Sequence, residues 1–138
     1  MAVQSPASRW AWVEIDLSAL KRNTRKFKVL LEPGVKMMCV VKSDAYGHGA
    51  ERCVRAMHSA GADQFAVATV DEGVKLRQAG IEWPILVLSE PPMDCVQTLV
   101  DYDIMPSVYT SEFALALGEC AAASGKVARY HLAASRCF

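Results

Sequence analysis

Five short apolar runs, each flanked by segments with helical periodicity, constrain the fold of this chain more than any other feature. They predict strands over residues 36–41, 64–68, 85–88, 104–108 and 127–132. Continuous apolar runs are typical of strands buried on both faces of a parallel sheet. The segments between them predict helices over 51–60, 70–79, 93–102 and 111–123. We therefore expect an α/β fold of about five βα units with right-handed crossovers.

Regular βα units fit two architectures, an open doubly wound sheet and part of an eight-stranded (β/α)8 barrel. The periodicity alone does not choose between them. No linker or shift in composition divides the chain. We expect a single domain over 12–133, preceded by a disordered segment over 1–11 and followed by a short tail over 134–138.

The region before the first of these strands carries two further patterns. Apolar and polar residues alternate from Trp12 to Asp16, which predicts a short strand. From Ser18 the apolar spacing becomes helical, with Asp16 or Ser18 as N-cap and Pro33-Gly34 as a stop signal. The predicted apolar face of this helix consists of Leu17, Leu20, Thr24, Phe27 and Leu31.

A capping box is predicted where the helix over 70–79 begins. Thr69 is followed three positions later by Glu72, the spacing at which the two residues cap each other's amides. Asp71 and Glu72 are therefore interpreted as ordinary first-turn acids that the helix dipole favours, rather than as a catalytic pair.

Composition narrows the class of function. Fifteen basic and fifteen acidic side chains cancel, and no basic run stands out, so a nucleic-acid partner is not indicated and a small molecule is expected. The five cysteines form no Cys-x-x-Cys pair and the histidines lack metal-ligand spacing, so reduced thiols and no metal are expected. No run is long enough for a signal peptide or a membrane span, and we expect a cytoplasmic protein.

The loop after residues 36–41 is the first place to look for chemistry, because ligands bind at the carboxyl ends of parallel strands. A lysine here, Lys42, can act as an amine nucleophile toward an aldehyde when it is partly desolvated. Gly47 and Gly49 would leave amides open for a phosphate ahead of a helix. Two other interpretations are a solvated lysine beside a simple turn, and a dinucleotide fingerprint. The second fits poorly, because Arg52 stands at the third glycine position.

The string around Lys42 reads Val40-Val41-Lys42-Ser43-Asp44-Ala45-Tyr46-Gly47-His48-Gly49. As a whole it resembles the attachment signature for pyridoxal phosphate (PLP) of the alanine racemase family, and Ser43 is its only less typical residue. The likeness extends over about residues 12–133 through Glu14-Ile15-Asp16-Leu17, Phe65-Ala66-Val67-Ala68, Leu76-Arg77 with Gly80-Ile81, and Pro84-Ile85-Leu86-Val87-Leu88.

The resemblance implies a fold, a cofactor and a set of roles. The fold would be the N-terminal portion of a PLP-binding (β/α)8 TIM barrel. Lys42 would form the internal aldimine with PLP and act as acid–base on one face of the α-carbon of alanine. Tyr46 would hold the cofactor phosphate, and Leu88 would line the cofactor site. His48 is interpreted as a support for the loop rather than as a base.

The family pattern also implies parts that this chain does not match. Members are more than twice as long and are homodimers, and a tyrosine of the partner subunit serves the second face of the substrate. After Ala133 the sequence departs from the family, and Arg136 has the wrong neighbours for a family role. The chain is therefore expected to be a fragment that is inactive alone and prone to aggregate, with its preference for alanine or serine left open. A PLP carrier barrel without racemase activity is the alternative, and a related decarboxylase is a third.

Overall fold

The computed structural model describes residues 11–133, so the expectations for 1–10 and for 134–138 lie outside the described residues. The elements in chain order are α1 (Leu17–Lys28), β1 (Met38–Val40), the single turn α2 (Lys42–Gly47), α3 (Ala50–His58), β2 (Gln64–Val67), α4 (Val70–Gln78), β3 (Ile85–Val87), a 3-10 turn (Met93–Cys95), α5 (Val96–Asp101), β4 (Met105–Val108), α6 (Ser111–Ala123) and β5 (His131–Leu132).

The five strands form one parallel sheet whose spatial order, β1-β2-β3-β4-β5, is also the order of the chain. In register, Cys39 lies opposite Phe65, and Phe65 lies opposite Ile85. A doubly wound sheet reverses its strand order at a switch point, whereas a barrel wall adds strands in one direction. The sheet therefore has the arrangement of the N-terminal part of a (β/α)8 barrel.

Helices cover one face of the sheet and leave the other face to strand residues. The main core joins Phe65 and Ile85 to apolar side chains of α3, α4, α5 and α6. A separate small cluster on the opposite face consists of Ala66, Leu86 and Met105. Successive strand residues point to opposite faces, so β1 to β4 each contribute side chains to both clusters, whereas both residues of β5 are exposed. Such one-sided cover places the second face where a barrel has its interior.

The helix starts follow the capping residues in the sequence. The predicted capping box is confirmed, since Thr69 Oγ1 accepts from the Glu72 amide and the Glu72 carboxylate accepts from the Thr69 amide, both at 3.3 Å. Asp16 caps α1 by accepting from the amides of Ser18 and Ala19 at 2.8 and 3.0 Å. The predicted bounds of the helix over 111–123 are confirmed as those of α6.

The strand predicted from Trp12 to Asp16 is wrong. Within the described residues this segment makes no backbone hydrogen bond to the sheet. Its polar groups are used locally: the Trp12 indole donates to the Glu14 carboxylate at 2.9 Å, and Asp16 caps the next helix. Alternating apolar and polar residues make a segment able to pair as a strand, but a strand forms only where a neighbouring strand is available to pair with it.

The predicted apolar face of the first helix is only partly correct. Thr24 is buried, but Phe27 is 67% exposed and Leu31 lies beyond the end of α1 at Lys28. The helix packs mainly against α3 rather than across the sheet, so only a narrow strip of it is covered.

Two other predicted elements are shorter or divided. The run over 127–132 forms only a two-residue strand, β5. Just before this run, the Lys126 side chain donates hydrogen bonds to the carbonyls of Val100 and Asp101. The helix over 93–102 begins as a 3-10 turn after Pro91-Pro92.

A single arginine fastens the loops at the amino ends of β3 and β4. The Arg77 guanidinium donates to the carbonyls of Ile81 and Trp83 at 2.7 and 2.8 Å, and to those of Tyr102 and Asp103 at 2.9 and 2.8 Å. Burial lowers the pKa of Arg77. The planar fork of donors explains how one side chain serves two loops.

An ion pair holds the start of β1. Asp63 accepts from Lys28 Nζ and from the Met37 amide, each at 2.6 Å. These two bonds, the Lys28 bond first, lower the pKa of Asp63. Separately, no helix within residues 11–133 combines the length and the apolar content that crossing a bilayer requires.

Candidate active site

Lys42 follows directly on the carboxyl end of the first strand, as the sequence predicts. The amide of Val41 still bonds the Ala66 carbonyl in β2 at 2.7 Å, and the Val41 side chain is fully buried. Lys42 itself is half-buried. Its Nζ makes no hydrogen bond or ion pair with any residue in 11–133. The lysine therefore directly follows a residue that is paired with β2, and its amine is uncommitted within this part of the chain.

The backbone reverses its handedness immediately after Lys42. Ser43, Asp44, Ala45 and Tyr46 all have φ between 52° and 56° and ψ between 37° and 49°. Left-handed helical angles cost an L-residue about 1–2 kcal/mol each, so four in succession need compensation from the surroundings. Strained backbone of this kind is concentrated at functional sites.

Hydrogen bonds and burial hold this left-handed turn. The Ala45 amide bonds the Val41 carbonyl at 2.9 Å, and the Ala45 side chain is buried in the main core. At the far end, the Gly49 amide bonds the Asp44 carbonyl at 2.9 Å. His48 Nδ1 lies 2.8 Å from the Ala45 carbonyl and 3.1 Å from the Tyr46 carbonyl. These contacts agree with the interpretation of His48 as a support for the loop.

Two amides at the start of α3, those of Gly49 and Ala50, are already hydrogen-bonded, which corrects the expectation for Gly49, whereas that for Gly47 stays a prediction. The Asp44 carboxylate caps α3 by accepting from the Ala50 amide at 2.7 Å. The Gly49 amide is used by the Asp44 carbonyl. A carboxylate at this helix end would also repel an anion. Sequence reasoning missed the role of Asp44, because its partner lies six residues away and outside any capping motif.

Glu72 also does more than the sequence indicates. Its Oε1 accepts from the Ser43 amide at 2.6 Å, and its Oε2 accepts from the Ala68 amide at 2.8 Å. The residue therefore bridges the carboxyl ends of β1 and β2 in addition to capping α4. The capping motif accounts for the Thr69 contact alone, and nothing in the sequence pairs Glu72 with Ser43.

The other two predicted cofactor residues lie at the same edge of the sheet but on different strands. Tyr46 belongs to the left-handed turn after β1 and is 60% exposed. Leu88 follows β3 and is 39% exposed. By alternation it shares the helix-free face with Leu86. β2 lies between the two, so β1 and β3 are about 10 Å apart.

The cleft between α3 and α4 has a charge unsuited to a phosphate. It has a volume of about 450 Å³, and its lining includes the carboxylates of Asp44, Glu51 and Glu72 with a single cation, Lys75. An anionic group would be repelled there. The cleft between α3 and α4 is therefore not suited to a phosphate group.

A further carboxylate ties the ends of β3 and β4 together. Glu90 accepts from the amides of Tyr109 and Thr110 at 2.5 and 2.8 Å, and from the Thr110 hydroxyl at 2.9 Å. Burial raises the pKa of Glu90, but these hydrogen bonds lower it by more, and the net shift is downward. The edge that carries Lys42 is thus fixed at several points.

Comparison with known proteins identifies the family of this chain. The model of the family described as alanine racemase, N-terminal domain, matches residues 15–135. An alanine racemase of Halothermothrix orenii is 42% identical over 125 residues, which cover 91% of this chain and 33% of the relative. One from Lactobacillus delbrueckii subsp. bulgaricus is 52% identical over 93 residues, 67% of this chain and 24% of the relative.

Solved structures agree with the sequence relatives. The alanine racemase of Bacillus anthracis with bound L-Ala-P has a TM-score of 0.83 at 34% identity, over 93% of this chain and 33% of that one. The enzyme from E. faecalis has a TM-score of 0.72 at 39% identity, over 75% and 28%.

The chain spans about a third of the length of the curated relatives that it matches. The match begins before α1 and continues through all five strands, so it includes the lysine loop, the left-handed turn and the edge at which Leu88 lies. On this evidence, the chain belongs to the family of alanine racemase N-terminal domains.

Proposed function

We propose that this chain is the lysine-bearing part of a PLP-dependent amino-acid racemase that interconverts L- and D-alanine, with Lys42 as its catalytic residue. The observation that carries the proposal is the place of Lys42. It is a half-buried amine, uncommitted within residues 11–133, that follows the fully buried Val41 at the carboxyl end of a parallel strand, in a chain of the alanine racemase N-terminal domain family. The family relatives named above are all alanine racemases.

The donor set at this edge fits PLP. The cofactor needs a primary amine for its aldehyde, a donor for its phosphate and an apolar surface for its ring. Lys42 supplies the amine, the exposed Tyr46 hydroxyl supplies a donor, and Leu88 supplies an apolar side chain on the helix-free face. The Tyr46 hydroxyl makes no hydrogen bond within residues 11–133, so it is available for this contact.

Bound PLP would act as an electron sink for the carbanion that forms when alanine loses its α-proton. Lys42 would hold the cofactor and then accept or return that proton on one face of the α-carbon. Tyr46 would donate its hydroxyl hydrogen to a phosphate oxygen, and Leu88 would exclude water from the ring. Racemisation also needs an acid–base group on the opposite face. We assign that role to a tyrosine of the partner subunit in a homodimer, as the resemblance implies.

Reductive labelling tests the assignment of Lys42. The full chain is incubated with PLP and then with borohydride, and the modified peptide is identified by mass spectrometry. The label is expected on Lys42. Lys36→Arg, two residues before β1, is the matched control and should leave the label in place. A label on another lysine, with Lys42 unmodified, would overturn the assignment.

Isotope exchange separates a racemase from a PLP carrier. In deuterated water with PLP present, a racemase replaces the α-proton of alanine with deuterium, whereas a carrier only binds the cofactor. The protein that contains this chain and its partner subunit is expected to show exchange, and Lys42→Ala is expected to abolish it. Cofactor binding without exchange would favour the carrier.

A further inference from the structure

We propose that Glu72 is a positioning residue for Lys42, acting through its hydrogen bond to the amide of Ser43. The inference rests on the proposed function of Lys42 and extends it to a residue on a different βα unit. Glu72 does not touch the lysine side chain. It fixes the peptide group that immediately follows Lys42 and thereby fixes the direction in which the lysine leaves the strand.

The geometry shows that the contact with Ser43 is separate from helix capping. Oε2 of Glu72 faces its own unit, accepting from the amides of Ala68 at 2.8 Å and Thr69 at 3.3 Å. Oε1 faces the neighbouring unit and accepts from the Ser43 amide at 2.6 Å. A capping box needs only the first set of bonds.

The position of Ser43 makes this bond consequential. Ser43 is the first residue with left-handed angles, at φ 52° and ψ 49°, and its side chain is exposed. Neither packing of its own side chain nor a glycine backbone favours that conformation. A charge-assisted hydrogen bond is comparable in strength with the cost of the left-handed angles. Without it, Ser43 would relax toward right-handed angles and Lys42 would lose its fixed orientation.

The test compares three single variants of the full chain. Glu72→Gln keeps the size of the side chain and removes its charge. Thr69→Ala removes the other half of the capping box and leaves the Ser43 contact in place. Asp71→Asn removes a neighbouring charge in the same helical turn, on a side chain that makes no hydrogen bond within residues 11–133. Two quantities are measured: the exchange rate of the Ser43 amide by NMR, and the rate of reductive labelling of Lys42 by PLP.

The inference predicts a specific pattern. Glu72→Gln should speed exchange of the Ser43 amide roughly tenfold or more and slow the labelling of Lys42. Asp71→Asn and Thr69→Ala should leave both rates close to those of the parent. Equal slowing of labelling by Thr69→Ala would show that Glu72 acts only through its helix, and would overturn the inference.

A second measurement needs no variant and holds even if Glu72→Gln fails to fold. In the folded parent, the Ser43 amide should be protected although its side chain is exposed. Exchange at the rate of an unstructured peptide would mean that the bond is not made, and would overturn the inference. Labelling of the parent at another lysine would instead refute the proposed function. The exchange rate of the Ser43 amide would still show whether Glu72 is hydrogen-bonded to it.

Discussion

The Arg77 guanidinium donates a hydrogen bond of 2.8 Å to the carbonyl oxygen of Asp103, a residue with φ of +49°. Asp103 lies in the turn before β4, and its carboxylate pairs with Arg129 at 2.9 Å ahead of β5. One residue in a strained turn thus connects α4 to the start of the last two strands. We expect these bonds to stabilise the amino-terminal ends of β4 and β5.

Arg77→Lys should therefore lower the free energy of unfolding by about 2–4 kcal/mol, because an ammonium group cannot reach four carbonyls that the planar guanidinium serves together. Denaturant unfolding followed by circular dichroism measures the change. Arg52→Lys, at an exposed position of α3, is the control and should have almost no effect. Equal denaturation midpoints for the two variants would contradict a stabilising role for the bonds from Arg77 to the two loops.

Tyr46→Phe should weaken PLP binding by roughly one to two orders of magnitude, the loss expected for one hydrogen bond to a charged acceptor. Titration of the protein with PLP measures the dissociation constant. Tyr109→Phe is the control, since its hydroxyl lies at the same edge but is directed to the Leu88 carbonyl at 3.4 Å. An unchanged constant for Tyr46→Phe would make that tyrosine structural.

Gly49→Ala should destabilise the chain by about 1–2 kcal/mol for reasons of conformation alone. Gly49 has φ of +87°, and a Cβ placed there would meet no atom within 4 Å. Gly118 in α6 has the same open surroundings without the positive φ, so Gly118→Ala should instead stabilise by roughly 0.5–1 kcal/mol. Thermal unfolding compares the two variants. A shift of both in the same direction would be inconsistent with this explanation.

Acid should remove the stabilisation that Asp63 provides. Its pKa is lowered in the folded state by the bonds from Lys28 and Met37. The contribution is therefore present above the pKa of the unfolded chain, about 4, and is lost as the pH falls through the lower folded-state pKa. Asp63→Asn should be less stable than the parent at neutral pH, and the difference should shrink below about pH 4.

Denaturant unfolding at a series of pH values checks the Asp63 prediction. Asp71→Asn, which removes an exposed charge without a hydrogen bond in the described chain, is the reference. A difference in stability between the parent and the Asp63→Asn variant that stays constant from neutral to acid pH would show that the carboxylate makes no linked contribution.

Local signals in the sequence were reliable where neighbouring residues decide the structure. The Thr69 and Glu72 pair marks the start of α4, and the helical periodicity over 111–123 gives the bounds of α6. The lysine loop could be placed because an apolar run leads directly into Lys42, although within that run only Val41 is buried. Its identity came from the resemblance of a ten-residue string, which periodicity could not supply.

Non-local features could not be predicted. Four L-residues with left-handed angles contradict the local preference of each, and only the contacts from Glu72, Ala45 and Asp44 explain them. The strand predicted from Trp12 to Asp16 failed for a related reason, since pairing depends on a neighbour that the alternation does not reveal. The Glu72 contact joins residues 29 positions apart, and no periodic pattern encodes it.

The reversed backbone between Lys42 and Gly47 has a consequence for the stereochemistry of the polymer itself. Its angles are those that mirror-image amino acids adopt most readily, because the steric argument against them applies only to the L form. In a chemically synthesised chain, a D-serine at position 43 would suit the backbone better than the natural enantiomer. The proposed attachment point at Lys42 thus precedes a segment that an achiral or D-configured unit would occupy with less strain.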